Sequence, residues 1–563
     1  MKKMMTFTGW LVMTATLFAG ITACNKVDNI VEDPAPTTYT LTVQATKGDD
    51  VTRALALGGA EGKTLNATWT AGDAVQAYHV SNPGTLFEAE SSVPDGTLYA
   101  QSSGASTTLT GTFSGYTPVP GDVLRLRFIP DADYTNQDGT LEYIAEHCDN
   151  AVAEITVASV DAVTGDVTST AAASFENRQA IVKFSLKQPD GTTPLAVTNL
   201  TVKAGGWTYN VTPAVASSDL YVAVKSLSDK AVLLRATDGT DHYRYEKAGV
   251  SFDLGQYYAI GVKMVSLNLS TFTSHFTAQD GDILTGTLDG TTQKIKVSIA
   301  DGATVTLSGV TINGVHVSEN TYTWAGITCI GNATLILADG TTNTVKGFEH
   351  NYPGIQPAVG KTLTIQGTGT LNARSNGNGP GIGGGYKVNC GNIHIKSGTI
   401  NATGGSGSAA IGCGINECVC GNITISGGSV VAQSGSNATA IGCGFTDGGH
   451  SGTSCGNILI EGGTIVAYHT NASGTAVIGS TISGTSCTSV TVTTGITSLT
   501  LTNPTRGAIE HFIKASTVMM QTYDITSKIG TGVYALTTND ATFKGFFPNS
   551  TWNDGDDIWT IAP

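Results

Sequence analysis

Three stretches of the chain can be written one beneath another: Gly391-Asn-Ile-His-Ile-Lys-Ser-Gly-Thr-Ile400, Gly421-Asn-Ile-Thr-Ile-Ser-Gly-Gly-Ser-Val430 and Gly456-Asn-Ile-Leu-Ile-Glu-Gly-Gly-Thr-Ile465. A looser copy, Lys361-Thr-Leu-Thr-Ile-Gln-Gly-Thr-Gly-Thr-Leu371, precedes them, and a degenerate one follows around Val490. Their leading apolar residues are Leu363, Ile393, Ile423, Ile458 and Val490, at steps of 30, 30, 35 and 32 residues; counting back by 28 reaches Leu335 and then Leu307. A second marker keeps pace in Trp324-Ala-Gly-Ile327, Tyr352-Pro-Gly-Ile355, Gly379-Pro-Gly-Ile382, Ser408-Ala-Ala-Ile411 and Thr439-Ala-Ile441. Repetition at such a period is the mark of a solenoid. Within each copy apolar and polar residues alternate and β-branched residues dominate, which specifies short strands, while Gly pairs mark the corners. One turn cannot bury its apolar row alone, but stacked turns bury each isoleucine on the next. The expected fold is all-β, with a right-handed parallel β-helix over 266–504. An antiparallel sandwich carrying accidental repeats is the competing reading.

Composition bounds the remainder. A chain of 563 residues with 70 glycines, 40% hydrophobic and 13% charged residues suits two or three β-rich domains. The formal net charge of −15 argues against nucleic acid as a partner. No internal apolar run reaches the 18 or more residues of a membrane-spanning helix. Residues 1–24 read as a leader: Lys2 and Lys3 start it, Trp10 to Ile21 form its apolar core, and Ile21-Thr-Ala-Cys24 closes it. That ending resembles a bacterial lipobox, which implies acylation of Cys24 and anchoring in outer-membrane lipid. Several acyl chains at about 0.8 kcal/mol per buried methylene make such anchoring effectively permanent. Residues 25–38 read as a flexible tether, and the expected location is the outer membrane, facing the cell surface.

From Tyr39 to about Val265 the pattern is different. Tyr39-Thr-Leu-Thr-Val-Gln-Ala45, Val123-Leu-Arg-Leu-Arg-Phe128, Ala180-Ile-Val-Lys-Phe-Ser-Leu186 and Tyr257-Tyr-Ala-Ile-Gly-Val262 read as strands. Pro94-Asp-Gly, Asn136-Gln-Asp-Gly and Pro189-Asp-Gly read as turns. Residues 39–265 are long enough for two sandwich modules. Thr52-Arg-Ala54, Ala67-Thr-Trp-Thr-Ala-Gly-Asp-Ala-Val75 and Phe175-Glu-Asn-Arg-Gln-Ala-Ile-Val-Lys-Phe184 resemble the fimbrillin family of lipoproteins from anaerobic Gram-negative commensals. The resemblance implies tandem transthyretin-like sandwiches serving as pilus subunits, tips, anchors or surface adhesins, with other fimbrial subunits as partners. It also implies a scissile Arg near position 53, so Arg53 is a candidate processing site. A solvated arginine in a loop between two first strands is the reading the residue favours over processing. The chain departs from polymerising family members because a β-helix follows the sandwiches, which favours a tip, anchor or stand-alone adhesin.

The second half resembles a family of bacterial carbohydrate-binding β-helix proteins. The likeness rests on Asp280-Gly-Asp-Ile-Leu-Thr-Gly-Thr-Leu288, Ala303-Thr-Val-Thr-Leu-Ser-Gly-Val-Thr-Ile312, Asp339-Gly-Thr-Thr-Asn-Thr-Val345 and the Gly-Asn-Ile repeats. It implies binding of polysaccharide or of a host or bacterial surface glycan. Trp324, Tyr352 and Tyr386 fall at or near equivalent places in successive turns and are candidate stacking platforms for sugar rings, with packing of the first turns as the alternative. Asn389, Asn392, Asn401, Asn422 and Asn457 supply amides, either to a ligand or to the backbone of the next turn. A polysaccharide lyase on this fold is the rival reading. It would need clustered carboxylates, and from Lys361 to Thr500 the only acids are Glu417, Asp447 and Glu461. Glu417 and Asp447 stand one turn apart. Asp280, Asp282, Asp289 and Asp301 are read as turn formers. The expectation is no catalysis, no cofactor and no metal.

Cysteines recur in step with the repeats. Cys390, Cys420, Cys455 and Cys487 each precede the strand, while Cys413 and Cys443 follow an Ile-Gly pair and Cys418 lies between. They are candidates for disulfides or for stacked thiols. The repeats are expected to stop near 504, leaving 505–563 as a cap.

Overall fold

The computed structural model describes residues 38–47, 53–54, 65–66, 68–80, 93–113, 116–315, 322–469, 475–481, 484–493, 495–502, 513–523, 531–536, 550–552 and 558–561. The leader with Cys24, and the tether up to residue 37, lie outside the described residues. The chain is built almost wholly of strands and divides into two compact units.

The first unit takes the chain up to Lys47, Thr68–Phe128 and Val152–Phe175. Its strands run in the order Asp166–Ser169, Tyr39–Thr46, Ser106–Phe113, Gly96–Ala100, Ala74–Val80, Val123–Phe128 and Ala151–Val160. Because Ala151–Val160 also pairs with Asp166–Ser169, this hydrogen-bonded path closes on itself and those strands leave no free edge between them. Alternation decides which face is buried: Leu41, Val43 and Ala45 point inward while Thr42 and Gln44 are exposed. Trp69 fills the core edge-on to Phe128 and Phe175, with centroids 5.6 and 5.3 Å away. Four residues on, the Asp73 carboxylate accepts the Thr70 N–H at 2.9 Å and pairs with buried Lys47 at 3.4 Å. The Lys47 ammonium lies 3.6 Å from the Phe128 ring centroid, so the Trp-x-x-Gly-Asp element supplies both a core plug and the counter-charge for a buried cation.

The second unit takes Gly48–Ala67, Ile129–Ala151 and Glu176–Pro563. Arg53 stands in the short strand Arg53–Ala54, paired in parallel with Leu65–Asn66. A sandwich follows. The three-stranded sheet Asp219–Val224, Ala180–Lys187, Tyr257–Lys263 shares one core with a six-stranded sheet centred on His242–Phe252, Leu227–Thr237 and Asn199–Ala204. Asn136–Gln137, expected as a turn, is instead the edge strand of that six-stranded sheet. The Gln137 side chain is buried and pairs with the Ala223 backbone at both its amide and its carbonyl, 2.9 and 2.8 Å, so its polar atoms are satisfied inside.

From Phe276 onward every turn of the chain contributes one strand to each of three parallel sheets. Leu363, Ile393, Ile423, Ile458, Val490 and Val518 lie over one another, as do Ile327, Ile355, Ile382, Ile411, Ile441, Ile478 and Ile513. Each described member of both ladders is essentially fully buried, and burying one such side chain stabilises by about 1.5–3 kcal/mol. The 28-residue steps at Leu335 and Leu307 were a mis-registration. Leu363 sits on Ala333, which sits on Ala303, so the true steps there are 30. A slip of two residues keeps the in–out alternation intact, so periodicity alone cannot detect it. Parallel stacking also continues past 504: Ile513–Lys514 and Thr517–Tyr523 add to it before Thr531–Leu536 and Ile558–Ile561 pair antiparallel onto the stack.

Two polar devices hold the stack. Side-chain oxygens of Asp280, Asp301, Asn332, Asn392 and Asn422 each accept a backbone N–H of the next turn, at 2.7–3.0 Å. Asp282, expected as a turn former, is completely buried. Arg235 and Arg244 of the sandwich hold its two oxygens at 2.7 and 2.6 Å, and the Gln279 N–H donates to it at 2.8 Å. This charge triad ties the sandwich to the first turn of the stack.

Candidate functional site

The corner loops of three successive turns, 384–389, 413–419 and 443–454, bring polar groups together. Gly-rich corners make this possible. Gly412 has φ +131, and a Cβ there would stand 2.0 Å from the Gly442 carbonyl oxygen above it, so neighbouring loops leave the stack at one level after another. Lys387 Nζ lies 3.5 Å from Glu417 Oε1, and His450 Nδ1 lies 3.1 Å from the same oxygen. Asn416 is fully buried and exchanges hydrogen bonds with Asp447: its amide donates at 3.2 Å, and the Asp447 N–H donates to its carbonyl at 2.8 Å. Glu417 and Asp447, one turn apart in sequence, therefore share one patch, joined through Asn416.

The backbone is strained at this spot. Lys387, Asn416 and Glu417 have φ of 54°, 51° and 45°, a left-handed conformation that costs a non-glycine residue about 1–3 kcal/mol. Carbonyls and amides of the adjacent loops hold it: the Lys387 N–H donates to Ile415 O, Asn416 N–H to Phe445 O and Glu417 N–H to Ser451 O, at 3.0–3.1 Å. Hydrogen bonding to His450, followed by the charge of Lys387, lowers the Glu417 carboxyl below its ordinary range. It is thus a carboxylate at neutral pH. Tyr386 borders the patch. Its N–H donates to Asn351 O at 2.9 Å, and its half-buried ring has Lys387 Nζ 5.5 Å from the centroid.

The three aromatic candidates separate. Tyr386 adjoins the polar patch. Trp324 packs with His275, Tyr322 and Phe348 at centroid distances of 5.2–5.8 Å, over the first turns of the core. Its indole N–H is buried without a hydrogen-bond partner among the described residues. Tyr352 is half-buried one turn on, its hydroxyl raised above the usual phenol range by burial and then by the charge of Glu349. The asparagines are largely committed to the fold: Asn389, Asn392 and Asn422 accept N–H groups of the following turn, and Asn401 donates to Asn372 at 2.9 Å. Cys390, Cys413, Cys418, Cys420, Cys443, Cys455 and Cys487 lie buried as thiols at and beneath the three loops and in the next turn. Lys387 and His450 are legible in the sequence as two of the few basic residues of the repeats, but nothing there places them on Glu417.

No family model matches the chain, and no curated protein matches it. Among solved structures the chain is similar to a candidate cell adhesion protein from Bacteroides uniformis, at 14% identity and a TM-score of 0.24, over 40% of this chain and 95% of that one. A fimbrial assembly protein from Parabacteroides distasonis is matched at 10% identity and a TM-score of 0.23, over 40% and 90%. A fimbrial protein from Bacteroides ovatus is matched at 11% and 0.22, over 41% and 49%.

Proposed function

We propose that this chain is a lipid-anchored cell-surface adhesin or fimbrial tip or anchor component, and that the patch at Tyr386, Lys387, Glu417, Asp447 and His450 is where it contacts glycan. On this reading the N-terminal strands are fimbrillin-type sandwiches and the stacked turns are a right-handed parallel β-helix. Parallel strands joined by crossovers are right-handed in nearly all proteins, which supports that hand. The observation that carries the reading is the convergence of three strained, non-glycine loop residues with an aromatic ring, a cation and a carboxylate, drawn from successive turns. Carboxylates and amides pair with sugar hydroxyls, and the apolar face of a sugar ring stacks on an aromatic face. Glu417, held as a carboxylate by His450 and Lys387, presents an acceptor for sugar hydroxyls. The test is a glycan array with the full chain, followed by Tyr386→Ala against the best binder. We expect at least a tenfold loss of affinity, about 1.4 kcal/mol. Unchanged binding, or release of unsaturated uronate from pectin-like polymers, would refute the reading.

A second reading, incorporation into a pilus, is favoured by one feature of the sandwich in the second unit. An apolar groove of about 220 Å³, lined by Phe184, Leu234, Tyr245, Val250, Ile260 and Val262, opens between two strands. Among the described residues Tyr257–Lys263 pairs only with Ala180–Lys187, and the Tyr245–Phe252 half of His242–Phe252 pairs only with Leu227–Thr237. A partner's extended segment would satisfy both edges. High-mass ladders on unheated gels would support this reading, and their absence from assembled surface material would dismiss it.

A further inference from the structure

One of the three parallel sheets stacks two cations on its outer face. Its strands Thr342–Lys346 and Thr370–Arg374 lie in register, from Thr342 on Thr370 to Lys346 on Arg374. Val345 and Ala373 are buried, so alternation turns Lys346 and Arg374 outward, about 4.8 Å apart along the stack. Like charges directly opposite one another destabilise a sheet. Neither side chain has a counter-charge among the described residues. The rungs on either side offer Asn313 and Thr403, both neutral. Asp289, one rung beyond Asn313, is held by the N–H and hydroxyl of Thr291 at 2.9 and 2.8 Å. Glu349, three residues on from Lys346, is 2% exposed and accepts the Asn351 N–H at 2.6 Å. Elsewhere the chain answers such a pair itself: Arg235 and Arg244 share the Asp282 carboxylate, and Lys387 and His450 share that of Glu417. Partial burial, and then the charge of Arg374, lowers the Lys346 ammonium below the range of a free lysine.

We infer that Lys346 and Arg374 together take a carboxylate or sulfate group of an anionic glycan, whose sugars run along the outward row Thr403, Gln433 and Tyr468 on the next three rungs. A guanidinium presents a planar fork to two oxygens of such a group, and the ammonium beside it adds a point charge. The rest of the row is neutral. Thr403 offers a hydroxyl, the Gln433 amide oxygen accepts from the Tyr468 hydroxyl at 3.1 Å, and the half-buried Tyr468 ring gives an apolar face for a sugar.

Other polyanions fit this row less well. A nucleic acid carries a charge at every residue and would meet two cations on a chain of net charge −15. An anionic membrane is held by clusters of about four to eight basic residues. A polymer with sparse anions and many hydroxyls matches both the cation pair and the neutral rungs that follow it. The inference rests on the glycan reading above only for the class of polymer, because the row lies on a strand face and not on the loops that carry Tyr386 and Glu417.

The experiment is calorimetry on the full chain with an oligogalacturonate, a sulfated galactan oligosaccharide and a neutral galactan oligosaccharide of equal length. At least one anionic probe should bind, at least tenfold more tightly than the neutral one, and both Lys346→Gln and Arg374→Gln should weaken it at least fivefold. The anionic probe that binds more tightly identifies the group as carboxylate or sulfate. Equal binding of the neutral probe, wild-type affinity in both variants, or equal binding of polyglutamate would overturn the inference. Neutral-glycan binding that Tyr386→Ala weakens, with neither anionic probe bound, would sink this inference and leave the loop patch standing. Lys346→Glu provides a second arm that needs no ligand. It sets a carboxylate of the chain beside Arg374, so Tm should rise above that of the wild type while anionic binding is lost. A Tm at or below the wild-type value would mean that the pair is already balanced, and would overturn the inference.

Discussion

His469 illustrates how one buried side chain sets a condition on stability. It is 4% exposed; its Nδ1 accepts from Ser434 Oγ at 2.6 Å, and its Nε2 donates to Thr475 O at 2.9 Å. Burial lowers its protonation range below that of a free histidine, against a weaker opposing pull from the Thr475 and Ala476 carbonyls. The folded chain therefore resists taking up a proton that the unfolded chain binds readily from about pH 6.5 downward. Stability is full above that pH and declines as pH falls through the window. Thermal melts from pH 7.5 to 5 should show Tm falling below about pH 6.5, with a shallower fall in His469→Gln. Parallel curves for the two proteins would show that this histidine plays no such part. Glu417 behaves differently, because its carboxyl is exposed and held low by His450 and Lys387, and it stays charged throughout that range.

Elements were legible where a pattern was repeated and opaque where a single residue decided. The isoleucine ladder could be read because one row of side chains recurs in three near-identical copies. The two-residue slip at Ala303 and Ala333 escaped because small residues weaken the apolar signal and alternation survives the slip. Asn136–Gln137 resembled a turn, and only the Ala223 backbone it meets makes it a strand. The site loops were half legible. Glu417 and Asp447 stood one repeat apart, but nothing in their residue types announces left-handed backbone at Lys387, Asn416 and Glu417. Asp282 was the largest omission, since an Asp-Gly-Asp run reads as a turn until Arg235 and Arg244 arrive from strands far back in the chain. Because all three charges are at least largely withdrawn from water, removing the central one is costly. Asp282→Ala should lose about 3–5 kcal/mol, read by denaturant unfolding, with the sandwich and the stacked turns melting in separate steps in calorimetry. Wild-type unfolding in this variant would mean that the triad does not couple the two.

At the scale of the whole molecule, the stacked turns bring residues of distant sequence number to a single contact patch. Lys387 and His450 are 63 residues apart and meet on one carboxylate only because the loops leave the stack at successive levels. The asparagine and aspartate oxygens that bridge each turn to the next keep those levels fixed. A double-mutant cycle on glycan affinity tests this directly, using Lys387→Ala, His450→Ala and the pair, with Kd measured by calorimetry on the full chain. Since both act through Glu417, we predict a loss in each single variant and a coupling of about 0.5–3 kcal/mol in the pair. Effects that simply add, or single variants that bind as the wild type does, would contradict a shared patch built across turns.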